Sequence, residues 1–220
     1  MFLMLATSGW AVADDEPVTV VSMLGEKPYV FSLEPGFPGR YERKQDEVVA
    51  GIDIDDRLSA ALLTALEDRG RKALSAKPQQ NLDALYAKRN TFFANNAFDS
   101  KQLLRIVGGL GDVGQKRPLL LLLQHRAPIP QVMGGKEAYG YGLMRLPSGT
   151  LAFLSVQALL FCEEDRNCGK AHAIEYVPIP GYGTSKPLSP PGVDEYRDGS
   201  SGLEQAIPAV AAELLTGLGF

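Results

Sequence analysis

The sequence has few of the residues that mark specialised protein classes. Its 220 residues include only two cysteines, two histidines and one tryptophan. Two cysteines are too few for a disulfide-dense mini-scaffold. No apolar run reaches the roughly 20 residues of a transmembrane helix, so no membrane span is expected. With 22 basic and 26 acidic side chains the net charge is −4, which argues against a nucleic-acid partner.

Catalytic and cofactor motifs are also missing. The sequence contains neither G-x-S-x-G nor H-E-x-x-H, two hydrolase signatures. Residues 109–114 match G-x-G-x-x-G by letter, but a predicted helix precedes them and a predicted strand follows. A dinucleotide fold needs the reverse order, so we expect a loop and no cofactor. The cluster of Asp53, Asp55 and Asp56 fits a helix N-terminus better than a cation site, and no metal is predicted.

The N-terminus predicts export. Residues 1–13 are uncharged and end in Ala11-Val12-Ala13, directly before three acidic residues. This small-x-small ending is typical of a signal-peptide cleavage site, although an apolar N-terminal strand is the alternative. We therefore predict a signal peptide over residues 1–13, a single domain over 14–220 and a periplasmic location. No cysteine lies near residue 13, so no lipid anchor is expected.

The two cysteines agree with export. Cys162 and Cys168 enclose a polar turn between two apolar runs, and a disulfide there would staple a hairpin. Free thiols, a redox pair and a metal site completed by His172 remain alternatives. The spacing matches neither the usual C-x-x-C redox pair nor a known zinc pattern.

The hydrophobic pattern predicts a mixed sheet with helices. Two strands over 17–24 and 29–33, joined by a turn, should form an N-terminal hairpin, with a loop over 34–45 after them. Five consecutive leucines over 119–123 predict a central strand that is buried on both faces. Three further strands, forming a meander, are predicted over 139–146, 151–162 and 171–179. Helices are predicted over 54–69, 82–93, 100–107 and from the capping box at Ser201 to the C-terminus, with Pro208 as a kink or a later start.

The strand over 151–162 also predicts a register. Its even positions are uniformly apolar, whereas its odd positions include Ser155 and Gln157, as in a sheet covered on one face. If Cys162 faces Cys168, His172 lies opposite Ala158 on the covered face. His172 is therefore predicted to be a core residue.

The order of these elements resembles small exported bacterial α/β domains. The leucine-rich strand, the meander with the sequence GYGLM…LAFLSVQALLF, and the final amphipathic helix are similar to curli-secretion-lipoprotein-like and TolB-N-terminal-like domains over residues 50–218. The order of the elements predicts an α/β (α+β) fold: a mixed sheet with an N-terminal hairpin, a buried leucine-rich strand and a C-terminal three-strand meander, covered by helices. The resemblance implies assembly work in the cell envelope through protein contacts.

The candidate binding residues follow from position and type. His125 and Arg126 come directly after the leucine-rich strand, at the carboxyl edge where α/β sheets bind ligands. Tyr139, Tyr141 and Tyr182 stand among glycines, and tyrosine is enriched at interfaces.

Three functions are compatible with these residues. The first is a non-enzymatic exported protein that binds another envelope component. The second is a hydrolase in which His125 works with an unidentified acid, and the third is a small-ligand-binding protein. A hydrolase requires a carboxylate or hydroxyl within hydrogen-bonding reach of His125.

Overall fold

The most apolar stretches of the sequence form the middle of a mixed sheet. The computed structural model describes residues 16–25, 28–35, 41–47, 53–77, 108–130, 137–146, 149–163, 166–181 and 193–220. The elements in chain order are β1 (Val18–Met23), β2 (Tyr29–Pro35), β3 (Tyr41–Glu47), α1 (Ile54–Glu67), β4 (Ala73–Ala76), a 3-10 helix (Gly111–Gln115), β5 (Leu119–Gln124), β6 (Arg126–Pro128), β7 (Glu137–Tyr139), β8 (Tyr141–Leu146), β9 (Gly149–Glu163), β10 (Arg166–Ile179) and α2 (Val193–Leu218).

The long hairpin of β9 and β10 organises the sheet. One edge of β9 pairs with β10 along almost its whole length. Its other edge pairs with β8 in its first half and with β5 in its second half, so β5 and β8 form one interrupted row. β1 pairs in parallel with β5, and β2 pairs in parallel with β8, which gives a second interrupted row. β4 and β3 lie outside β1 and β2 respectively.

The predicted central strand and meander are confirmed. Every residue of β5 is buried, and the strand lies between β1 and β9. β8, β9 and β10 follow one another as antiparallel neighbours. The fold class predicted from the sequence, a mixed sheet with helices and a buried leucine-rich strand, is the one observed.

The even-numbered face of β9 packs against α2. Ala152, Leu154 and Val156 belong to one buried cluster with the apolar stripes of α1 and α2. Helix α2 approaches the sheet closely because it presents glycine there: a Cβ added at Gly202 would lie 2.8 Å from the Cβ of Ala152. This face is covered as the alternation predicts.

The odd-numbered face is buried as well, which corrects the expectation of a sheet covered on one face. Phe153 and Phe161 are at most 2% exposed, and Ser155 is completely buried. Phe153 packs against the inner side of the β6–β7 hairpin, where Ala127 and Ala138 lie. Polar residues in this strand therefore do not indicate a solvent face.

Three further sequence expectations differ from the structure. An N-terminal hairpin is present, but it joins β2 to β3 across the segment expected to be a loop, and β1 does not pair with β2. Helix α2 begins at Val193, so the capping-box pattern at Ser201 and also Pro208 lie inside it. The short strand β4 has two exposed central residues and no clear alternation, and the sequence pattern does not predict it.

Several expectations lie outside the described residues. These are the signal peptide over 1–13 and the helices over 82–93 and 100–107. Among the helices that the structure describes, none combines the length and the apolar character needed to cross a membrane.

Candidate functional site

The site lies where the row formed by β5 and β8 is interrupted. Between these two strands the chain leaves the sheet as the β6–β7 hairpin, and three backbone hydrogen bonds close the gap. The His125 N–H donates to the Ser155 carbonyl over 3.0 Å, and the Ser155 N–H donates to the Gly140 carbonyl over 2.8 Å. The Gly140 N–H then donates to the His125 carbonyl over 3.0 Å. His125 is therefore held by rigid strands, as the sequence-based hypothesis of a site at the end of β5 requires.

Glycine is required at the point where the hairpin rejoins the sheet. Gly140 has a φ of +71°, and a Cβ there would lie 2.8 Å from the side chain of Gln124. Only glycine combines this backbone conformation with so close an approach. Gly140, next to Tyr139, therefore allows the chain to pass from β7 into β8 at the interruption of the row.

The environment of His125 favours the neutral imidazole. Burial lowers the pKa of His125 to about 4, with further contributions from His172, Lys170 and Arg126. The charged residues that contribute to this shift are cationic. At neutral pH the ring therefore carries no charge and offers one donor and one acceptor nitrogen.

His172 faces His125, which corrects the prediction that it is a core residue. β10 is irregular between Arg166 and Gly169, and this irregularity shifts the register by one position. His172 consequently pairs with Gln157 instead of Ala158, and it is exposed. A one-residue slip moves a strand side chain to the opposite face of the sheet.

The two imidazole rings meet above the middle strand. Their centroids lie 5.3 Å apart, with the ring planes tilted by 45°. β5 and β10 are separated by β9, and two inter-strand spacings amount to about 10 Å. The rings therefore lean towards each other across β9, where the small side chain of Ser155 lies opposite His125. The sequence contains two histidines, and the fold brings both together.

Arg126 and Tyr139 lie opposite each other on the β6–β7 hairpin. The Arg126 guanidinium carbon lies 5.8 Å from the centre of the Tyr139 ring, at cation–π distance. One guanidinium nitrogen also lies 3.0 Å from a Glu137 carboxylate oxygen. The side chains of Arg126 and Glu137 are 17% and 32% exposed, so this ion pair lies at the edge of the hairpin and is partly accessible.

The other two tyrosines do not join this surface. Tyr141 is completely buried, and its hydroxyl donates to the Gly25 carbonyl over 2.5 Å, so it cannot contact a partner from the surface. Tyr182 lies outside the described residues.

The structure also places the remaining candidates for catalysis or metal binding. Cys162 and Cys168 form a disulfide, so their thiolates are not available for a metal site with His172. Ser155 is the hydroxyl nearest to His125 in the register, but it is buried and donates to the Arg126 carbonyl. The 3-10 helix within the glycine-rich segment leads into β5, the order expected of a connecting loop. Among the described residues, no three histidine, cysteine or acidic side chains form a metal-binding group.

Asp55 is a partly buried acid at the N-terminus of α1, where its sequence position predicts a role in complementing the helix dipole. Burial raises its pKa, against hydrogen bonds that lower it. It accepts hydrogen bonds from the Ser22 hydroxyl and from the backbone N–H groups of Leu24 (2.9 Å) and Gly25 (3.0 Å). Asp53, two residues earlier, is the N-cap of α1. Asp55 therefore connects the start of α1 to the end of β1, next to the interruption between β1 and β2. No local sequence pattern distinguishes Asp55 from its neighbours.

The comparisons with known proteins do not assign a family. No protein-family model matches the sequence, and no curated protein matches it. Among solved structures, the chain shows a weak similarity to the lipoprotein GNA1162 from Neisseria meningitidis, with 11% sequence identity and a TM-score of 0.30. The match covers 76% of this chain and 88% of that chain. A similarity this weak supports no functional assignment.

Proposed function

We propose that this chain is an exported, non-enzymatic protein that binds another component of the cell envelope through the outer side of its β6–β7 hairpin. Residues 1–13 act as the signal peptide, and the protein works in the periplasm. The observation that carries the binding role is the pairing of Arg126 with Tyr139 beside the interruption of the sheet.

The disulfide supports the location. Cys162 and Cys168 are joined at the turn between β9 and β10, the longest hairpin of the sheet. Structural disulfides persist in oxidising compartments such as the periplasm and are rare in the cytosol. The alternative use of these cysteines as a metal site would need both thiolates.

The hairpin has the composition of a contact surface. Its inner side is buried against Phe153, while Arg126, Pro128, Glu137 and Tyr139 lie on the other side. Arginine and tyrosine are the residue types that most often dominate binding at protein interfaces. Arg126 is already oriented by Glu137 and by the tyrosine ring, so little side-chain entropy is lost when a partner docks.

Within the described part of the chain, the hydrolase alternative lacks its second group. A general base needs a proton donor within hydrogen-bonding distance and a third group to orient it. Among the residues that the structure describes, no carboxylate forms an ion pair with His125, and the nearest hydroxyl is buried and committed to Arg126. The surroundings of His125 support binding rather than hydrolysis.

Site-specific crosslinking in the intact envelope tests the proposal. A photo-reactive amino acid at Tyr139 should give a defined adduct, and the same residue at Glu213, exposed on the far side of α2, is the matched control. An additional Arg126→Ala change should reduce the Tyr139 adduct at least about fivefold, since interface arginines commonly contribute more than 1 kcal/mol. Recovery of uncrosslinked monomer from the Tyr139 variant, or equal adducts from both positions, would refute the proposed surface.

A further inference from the structure

The side chain beneath the two histidines is a buried amide with an unused donor. Gln157 lies on β9 between Leu123 of β5 and His172 of β10, so its side chain shares a face with both. It is 2% exposed. Its Nε2 atom has no hydrogen-bond partner among the described residues.

An unpaired buried N–H group calls for an explanation. Leaving such a group without a partner costs about 1–3 kcal/mol, and most buried side-chain polar atoms in proteins are paired. A ligand that brings an acceptor atom to this point would remove the cost. An anionic oxygen is an acceptor of this kind.

The charge around the amide that has no counter-charge is positive. Lys170 lies two residues before His172 on the same face of β10, is exposed, and forms no ion pair with any described residue. Arg126 follows His125 and is paired with the acidic Glu137. Neither imidazole forms an ion pair with a carboxylate in the part of the chain that the structure describes. The unbalanced charge next to the two rings is positive.

We propose that four residues form a binding site for an oxyanion, a carboxylate or a phosphate group of a ligand: His125, His172, Gln157 and Lys170. We call them the histidine cluster. Gln157 donates from below, the two imidazoles donate from either side, and Lys170 supplies the charge from the solvent side. The site belongs to the isolated chain and does not depend on an envelope partner.

Binding to the histidine cluster should be coupled to proton uptake. The free protein keeps His125 neutral because the ring is buried among cationic groups. A bound anion compensates those charges and favours the imidazolium, so the pKa of His125 rises on binding. By linkage, the anion must then bind more tightly as the pH falls. Among the described residues, His172, Lys170 and Arg126 act electrostatically on the His125 ring, and Glu137 is paired with Arg126.

A cation is the competing occupant. Two neutral imidazoles are common ligands of zinc and copper. Here, however, burial lowers the pKa of His125 most, and His172, Lys170 and Arg126 lower it further through charge. The positive field of Lys170 and Arg126 also opposes a bound metal ion. The arrangement therefore favours an anion.

Nuclear magnetic resonance of the histidine rings provides a direct test, because the chain has two histidines. The protein, labelled with ¹³C in histidine, is titrated with sodium sulfate at constant ionic strength. Sulfate keeps its charge throughout the range, so any pH dependence comes from the protein. Both rings should shift along one saturating curve, and sulfate should bind about tenfold more tightly at about pH 5 than at about pH 7.5. Acetate and inorganic phosphate, titrated separately at one pH, then distinguish a carboxylate from a phosphate ligand.

Two variants separate binding from folding. Gln157→Leu removes the unpaired donor while keeping the size of the side chain, so it should weaken sulfate binding about tenfold without loss of stability. Lys170→Gln should weaken it several-fold, whereas Lys116→Gln, exposed before β5, should leave it unchanged. Shifts that grow linearly without saturation, or equal affinity in wild type and Gln157→Leu, would overturn the proposal. Saturable shifts of both rings with zinc chloride and none with sulfate would overturn it as well, and would assign a metal site.

Discussion

At the scale of single residues, His125 makes the stability of the fold depend on pH. Its pKa is lowered to about 4 in the folded chain, against an ordinary value of 6.5. Between these values the unfolded chain binds a proton that the folded chain does not, so the folded state loses stability as the pH falls. The stability that the folded chain has with His125 neutral is complete above about pH 6.5 and is lost by about pH 4.

Urea unfolding of the wild type and of His125→Gln, measured by circular dichroism across this range, tests the sign. The stability of the wild type relative to the variant should fall by about 1–2 kcal/mol from pH 7 to pH 4, after allowance for the partial exposure of the ring. Burial raises the pKa of Asp55, which has the opposite effect, but Asp55 is present in both proteins and cancels. A difference that stays constant with pH would contradict the assigned environment of His125.

Gly142 is the residue at which substitution should be most damaging. A Cβ there would lie 1.9 Å from the Tyr29 carbonyl oxygen, and the φ of +146° is unfavourable for other residues. Gly142→Ala should therefore cost about 3 kcal/mol or more, because β2 must move away from β8. Gly181 has a φ of +89° with no atom within 4 Å of an added Cβ, so Gly181→Ala should cost only about 1–2 kcal/mol. If the two variants shift the urea midpoint equally, the contact between β2 and β8 at Gly142 is less close than described.

At the scale of elements, the neighbouring residues Asp55 and Asp56 have different roles: Asp55 connects two elements, and Asp56 lies on the surface. Asp55 accepts three hydrogen bonds and joins α1 to the interruption between β1 and β2. Asp56, on the same turn, is exposed and pairs with exposed Lys77 over 2.8 Å. Asp55→Ala should cost about 2–4 kcal/mol, because two backbone N–H groups and a hydroxyl lose their acceptor.

Asp56→Ala should cost less than about 1 kcal/mol, as expected for an exposed ion pair. Thermal or urea unfolding of the two variants under one set of conditions provides the comparison. Similar losses for both, or a larger loss for Asp56→Ala, would be incompatible with α1 being anchored through Asp55.

The elements differ in how well local sequence patterns predict them. β5 and the meander could be predicted because a leucine run and an even-odd alternation are local signals. The sequence predicts the N-terminal hairpin for the wrong strands, because the turn after Leu24 resembles a hairpin loop. In the structure, a hydrogen bond to Asp55, 31 residues away, holds the chain after β1. The irregularity after Arg166 has no local signal either, and it decides which face His172 occupies.

At the scale of the whole molecule, the interrupted rows explain why the candidate site was only partly predictable. His125 and Arg126 follow β5, so their position at the end of a strand could be predicted. His172 and Gln157 join His125 only because β9 pairs with β5 and β10 on opposite edges. Ser155 and Gln157 looked like solvent-facing residues, yet both are buried, because the second face of the sheet is also covered. The polar residues of this strand therefore lie in the interior, beside the candidate site.

The proposed export to the periplasm can be tested on the intact protein. Export predicts that the protein accumulating in a bacterial host begins at Asp14, and oxidation predicts a mass about 2 Da below that of the dithiol form. Intact-mass measurement before and after reduction checks both predictions, and Cys162→Ser is the control that cannot show the reduction-dependent change. The closed loop is short, so loss of the disulfide should cost only about 2 kcal/mol and the control should still fold. A full-length chain with two free thiols would remove the periplasm from the proposal, while the histidine cluster, which includes neither cysteine, would still be open to the sulfate titration.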